Sequence, residues 1–232
     1  MSSEFEYIDE NLKRIRFNIG EALARSGRDA DSVRLMAVTK TVAPEAVNHA
    51  IDLGVDLLGE NRVQEYISKA EAYSSAEVHI IGHLQTNKVK YIVDKVSMIQ
   101  SVDSMKLAGE INRLAEKHGI VMDVLCEVNI GGEDSKSGVS PDELGGLLDE
   151  ISQLDNIKVR GLMTIPPPSE SDIFLGRMEE LWNRISTEER PGISMDVLSM
   201  GMSGDYAAAI EHGSTIVRIG TGLFGARDYS KK

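Results

Sequence analysis

The chain has 232 residues, and its 25 Lys and Arg against 37 Asp and Glu give a formal charge of −12. That length suits one barrel-type domain spanning 1–232 rather than two small halves, and 41% hydrophobic with 27% charged residues excludes disordered and fibrous classes. A pI near 4.9 has the wrong sign for long-range attraction to nucleic acid or an anionic membrane, while leaving room for a local basic pocket that holds a phosphate.

The single cysteine, Cys126, excludes an intrachain disulfide framework and a cysteine metal cluster. No run approaches the roughly 18 apolar residues of a membrane span, and the start MSSEFEYIDE is acidic, unlike a secretory leader. A cytoplasmic protein is expected. In chain order, Ile8, Leu12, Ile15, Ile19 and Leu23 mark one face of a leading helix that Ser26-Gly27 stops. Strands are then expected at 33–39, 55–58, 78–81, 97–101, 121–130, 157–163, 195–199 and 215–219. Helical stretches at 44–53, 62–72, 87–93, 104–118, 142–154, 173–185 and 206–212 separate them. Eight alternations of strand and helix predict an α/β fold, a closed (β/α)₈ barrel of the TIM type. Few residues follow the last strand, so the leading helix is expected to take the place of the last one. Pro166-Pro167-Pro168 breaks the chain after the sixth strand but is too short to separate domains.

In such barrels function sits at the C-terminal ends of the strands. Lys40 ends the run Leu35-Met36-Ala37-Val38-Thr39 and shares a face with Met36 and Val38. It is either a lysine that snorkels out of a strand end or a desolvated amine suited to forming an imine with an aldehyde. Arg218 lies between Val217 and Ile219 in a strand that should be buried. Its guanidinium needs an acceptor, from a neighbouring strand or from a ligand. Gly220-Thr221-Gly222-Leu223-Phe224-Gly225 spells G-x-G-x-x-G, but only seven residues follow, too few for the βαβ unit of a dinucleotide site. What survives is a glycine turn able to approach an anion. Ser199-Met200-Gly201-Met202-Ser203-Gly204-Asp205 is a second such loop, with Ser203 placed to cap the next helix and face a phosphate. His79 and His83 make a poor metal pair on a strand and its exit, and Cys126 reads as a small core residue. The polar loop 131–138 is either a solvated loop or a flap.

Taken in order and spacing, Val38-Thr39-Lys40, Gly59-Glu60-Asn61, the run His79 to Lys88, Ser199-Met200-Gly201-Met202-Ser203 and Val217-Arg218-Ile219-Gly220-Thr221 resemble the pyridoxal phosphate homeostasis proteins. The resemblance runs from about residue 5 to Arg227, without departure at those positions. Those proteins share the barrel of the alanine racemase N-terminal domain. The resemblance implies a pyridoxal 5′-phosphate (PLP) site in which Lys40 forms the imine and Arg218 meets the ring nitrogen. Ser203 and the Gly220-Thr221 backbone would hold the phosphate, Asn61 and His83 would line the cofactor, and Ser199 and Met202 belong to the same site. An arginine at the ring nitrogen disfavours a protonated ring and weakens the electron sink. The implied role is binding, buffering and delivery of PLP, with PLP-dependent apoenzymes as transient partners and a monomeric chain. The alternative is a weak amino-acid racemase. Alanine racemases take a second acid/base, a tyrosine, from another domain, whereas the six tyrosines here (7, 66, 73, 91, 206, 229) are expected away from strand ends. A sugar-phosphate barrel with an imine-forming lysine would leave Arg218 without a role.

Overall fold

Eight short apolar runs pair in parallel and in sequence order, and the last returns to the first to close a barrel. The structure, a computed structural model, describes residues 4–133 and 135–226. The strands are β1 (Arg34–Val38), β2 (Leu57–Glu60), β3 (Glu77–Ile80), β4 (Met98–Val102), β5 (Met122–Val128), β6 (Ile157–Thr164), β7 (Ile193–Ser199) and β8 (Ile216–Ile219). The helices are α1 (Glu6–Ser26), α2 (Pro44–Asp52), α3 (Val63–Lys69), α4 (Met105–His118), α5 (Leu144–Ile151), α6 (Ser171–Ser186), α7 (Tyr206–Glu211) and α8 (Thr221–Phe224). Pairing of β1 with both β2 and β8 leaves no open edge. Among the described residues no helix is long and apolar enough to cross a membrane.

Two expected elements differ. The stretch 87–93 is a 3₁₀ turn over Thr86–Tyr91, in which only Val89 is buried. The buried side chains of the expected stretch are Val89, Ile92 and Val93, and the last two lie beyond the turn, so the turn itself has one apolar anchor rather than a stripe. The other is a four-residue helix, α8, that follows β8, with α1 packed beside it in the place expected for a full last helix. Asn11 Nδ2 donates to the Leu223 carbonyl at 3.0 Å and Asn18 Nδ2 to the Tyr206 hydroxyl at 2.9 Å. A four-residue helix covers little of a strand, and the buried face of α1 (Ile8, Leu12, Ile15, Ile19, Ala22, Leu23) completes the cover. Gly27 ends α1 in the left-handed conformation, φ 65°, with its N–H turned back to Ala24 and Leu23.

Successive strand residues point to opposite faces. On the outer face Ala37, Leu58, Ile80, Ile99, Val124, Cys126 and Leu198 merge with the helices into one continuous apolar mantle. On the inner face Met36, Val38, Leu57, Ile81 and Ile216 form one small cluster, and Met98, Leu125 and Met163 form another. The same parity brings polar side chains into the lumen, and these build the site.

Candidate functional site at the barrel mouth

Lys40 leaves β1 two residues after Val38, on the same inward parity, and is half-buried. The chain turns sharply behind it. Thr41 has φ 63°, the left-handed region that a β-branched residue enters at a cost of order 1–3 kcal/mol. Its amide donates to the Glu65 carboxylate of α3, which also holds Lys69 Nζ at 2.5 Å. That strained turn sets the direction in which the chain carries Lys40, and nothing in the sequence announces it.

Arg218 projects into the lumen from β8, beside Met36 of β1 in register, with only 3% of its surface exposed. Nη1 donates to Ser199 Oγ at 2.9 Å and Nη2 to the Thr164 carbonyl at 2.8 Å. Both acceptors are neutral. Burial pushes the guanidinium down to about 10, with Glu127 and Asp205 opposing the shift, so it stays a cation at neutral pH. Neighbouring strands thus satisfy two donors of Arg218 without neutralising its charge. Ser199 is fully buried at the end of β7, where it hydrogen-bonds Gln100 Oε1 at 2.7 Å.

The two glycine loops meet. The Gly222 N–H donates to Ser203 Oγ at 3.0 Å, and a Cβ at Gly222 would stand only 3.1 Å from that oxygen. The Arg218 N–H donates to the Gly201 carbonyl at 2.9 Å, tying the loop after β7 to β8. Ser203 does not cap α7 as expected. Asp205 is the residue before that helix, its Oδ1 accepts the Met202 N–H at 2.6 Å, and the Ser203 hydroxyl faces the Gly220–Gly222 turn instead.

Asn61 and His83 face each other across the exits of β2 and β3. They share the lining of a 210 Å³ recess with Lys88 and Gln85. Gly82 makes this approach possible, since a Cβ there would lie 2.3 Å from the Asn61 carbonyl. His83 is 60% exposed, with Nδ1 3.7 Å from Asp103. A larger cavity of 670 Å³ opens at the floor, between α1 and the start of β1, but no strand ends there. The convergent polar groups, not the volume, make the mouth the candidate site.

Several lumen residues escape a reading of the sequence. Glu127, buried near the end of β5, accepts the Ser137 hydroxyl at 2.7 Å on Oε1, while Oε2 has no hydrogen-bond partner. Burial raises its pKa and Asp103 adds to this, against the pull of Ser137, Arg218 and His83. Ser137 and the Val128–Val139 bridge draw the polar loop onto β5. His79 is no isolated histidine, since Gln100 meets its Nδ1 at 2.9 Å. Cys126 lies in the mantle, fully buried, its thiol pushed up to about 12 by burial. One tyrosine departs from expectation. Tyr73 reaches the end of β2, its hydroxyl donating to Glu60 Oε1 at 2.6 Å alongside Thr39 at 2.7 Å. The 3₁₀ turn Ala70–Ala72 folds it back there, on the outward parity of Thr39 and Glu60 rather than in the lumen. Tyr229, Arg227 and Asp134 lie outside the described residues.

The family model for the alanine racemase N-terminal domain matches residues 11–228. The pyridoxal phosphate homeostasis protein of Aquifex aeolicus is 45% identical over 95% of this chain and 98% of its own. Among solved structures, a protein of unknown function from Bifidobacterium adolescentis superposes with a TM-score of 0.90 at 38% identity, covering 97% of each chain. PipY of Synechococcus elongatus, solved with PLP bound, has a TM-score of 0.76 at 34% identity over 89% of this chain and all of its own.

Proposed function

The chain belongs to the pyridoxal phosphate homeostasis protein family, and from that premise we propose that it binds PLP reversibly at the barrel mouth and serves PLP homeostasis by buffering and delivering it. The observation that carries this reading is Arg218, a fully buried cation held by two neutral acceptors beside the exit of β1. A buried charge whose hydrogen-bond acceptors are all neutral is costly, and an anionic cofactor beside it adds to the opposing pull of Glu127 and Asp205. The surrounding residues fit the rest of the molecule. Lys40 supplies the amine, Arg218 an N–H for the ring nitrogen, and Asn61 and His83 the walls. Ser203 accepts the Gly222 N–H, so its own proton can be directed to a phosphate, joined by the Gly220 and Thr221 backbone. PLP, when bound, supplies an aldehyde that captures amines. Arg218 does not surrender its proton at neutral pH, so it fixes the ring without protonating it.

Delivery to PLP-dependent apoenzymes and a monomeric, cytoplasmic state complete the proposal. A weak racemase is the second reading, and Glu127 is the observation that favours it. This buried lumen carboxyl has a raised pKa and one unpartnered oxygen, as a second acid/base requires. Two experiments test these readings. Purified protein with added PLP should show an absorbance band beyond that of free PLP, and borohydride should fix the cofactor to the chain. A colourless, unmodified protein would remove the cofactor assignment. Deuterium exchange at the α-carbon of amino acids that requires both Lys40 and Glu127 would replace the carrier with the racemase.

A further inference from the structure

Arg218 is the mouth end of a column of hydrogen bonds that crosses the lumen to the floor of the barrel. From Ser199 the column passes to Gln100 Oε1 at 2.7 Å, from Gln100 Nε2 to His79 Nδ1 at 2.9 Å, and from His79 Nε2 to Glu77 Oε1 at 2.8 Å. It ends where Arg34 Nη1 meets Glu77 Oε2 at 2.8 Å, at the first residues of β1 and β3. Arg34 also lines the floor cavity, so the column opens there toward solvent. Arg218, Ser199, Gln100 and His79 are each at most 3% exposed.

The donor pattern of every link follows from the first. A guanidinium can only donate, so Ser199 Oγ accepts from Arg218 and its hydroxyl proton goes to Gln100 Oε1. The Gln100 amide is then oriented with Nε2 toward His79, whose Nδ1 must accept, which places the imidazole proton on Nε2 and directs it to Glu77. All four donations therefore run one way, from a buried cation at the mouth to a carboxylate at the floor. Aligned hydrogen bonds in a low-dielectric interior polarise one another. Asp205 and Glu127 are the charged groups that act on Arg218 from outside the column.

We infer that this column positions Arg218 for the cofactor ring and links the floor of the barrel to the mouth, which makes Gln100, His79 and Glu77 positioning residues. The inference rests on the PLP reading above and adds residues that do not touch the cofactor. It is more than packing because cutting it at the floor should be felt at the mouth.

The test uses the full chain titrated with PLP, reading affinity by fluorescence quenching, the absorption maximum of the bound cofactor, and thermal melting. Gln100→Leu should weaken PLP binding by about tenfold, the scale of one buried hydrogen bond, and shift the bound absorption maximum. Gln100→Glu keeps the acceptor for Ser199 but, as a carboxylate, cannot donate to His79 Nδ1, so it should recover part of the affinity while the bound absorption maximum stays shifted. Glu77→Ala, on the floor and away from the cofactor, should shift the maximum in the same direction by a smaller amount. If Gln100→Leu does not fold, Glu77→Ala and the absorption maximum of Gln100→Glu decide. A wild-type absorption maximum in every folded variant, whatever their affinities and melting temperatures, would overturn the column. Failure of the wild-type protein to bind PLP would instead overturn the reading on which it rests.

Discussion

The mantle and the lumen are built from opposite faces of the same eight strands, yet they are filled by different rules. Outward residues such as Leu58, Ile80, Ile99 and Leu198 meet the helices in one unbroken apolar core. Inward residues form two small apolar clusters, with Gln100, Ser199, Arg218 and His79 buried near them and Lys40 at the rim. The mantle is therefore where folding free energy is gained, in proportion to apolar area removed from water. Buried polar groups in the lumen have to be satisfied one by one, and they specify geometry rather than add much stability. One-residue parity along a strand thus separates stability from function in this fold.

That separation can be broken from either side. The largest effect is expected for Lys40→Ala, which should abolish the borohydride-stable adduct and leave only PLP held through its phosphate, as judged by the mass of the reduced protein. Next comes Leu148→Ala in the mantle, a fully buried α5 side chain. It should lower unfolding free energy by about 2–5 kcal/mol in urea titrations, while the folded fraction still forms the adduct. Ser203→Ala should weaken PLP by about tenfold or more, the scale of one hydrogen bond to a charged group. Pyridoxal, which has no phosphate, should bind the variant and the wild type alike in the same fluorescence titration.

The smallest effect concerns pH and the floor. The hydrogen bond from His79 is the largest influence that holds the Glu77 carboxyl down at about 2, with burial opposing it and Arg34 assisting. A carboxyl whose folded pKa lies below its unfolded one adds stability that is full above the ordinary value of 4.5. It is lost as pH falls from there toward about 2. The difference in urea midpoint between wild type and Glu77→Gln should therefore shrink over that window and be flat above it.

Much of this was legible in the sequence, for physical reasons. Short apolar runs bounded by polar exits locate all eight strands, because a parallel barrel buries both strand faces. The same two-sided burial hides parity, since a run such as Met122–Val128 does not show which of its residues look inward. Lys40, Arg218 and the glycine loops stood out as polar or flexible residues in apolar surroundings. Gln100, Thr164 and Glu127 did not, because their roles depend on partners far away in the chain. Gln100 meets Ser199 across 99 positions, a pairing set only by barrel closure. Ser203 reads as part of a phosphate loop, but its partner Gly222 belongs to the other loop, and local capping patterns do not reach that far. The left-handed Thr41 carries no signature at all, being held by Glu65 from α3.

The most direct measurement of the central claim is peptide mapping after borohydride treatment of the PLP-loaded protein. A single reduced adduct is expected, on Lys40, and it should be absent from Lys40→Ala. An adduct on Lys88 at the neighbouring recess, or one that persists unchanged in Lys40→Ala, would contradict it.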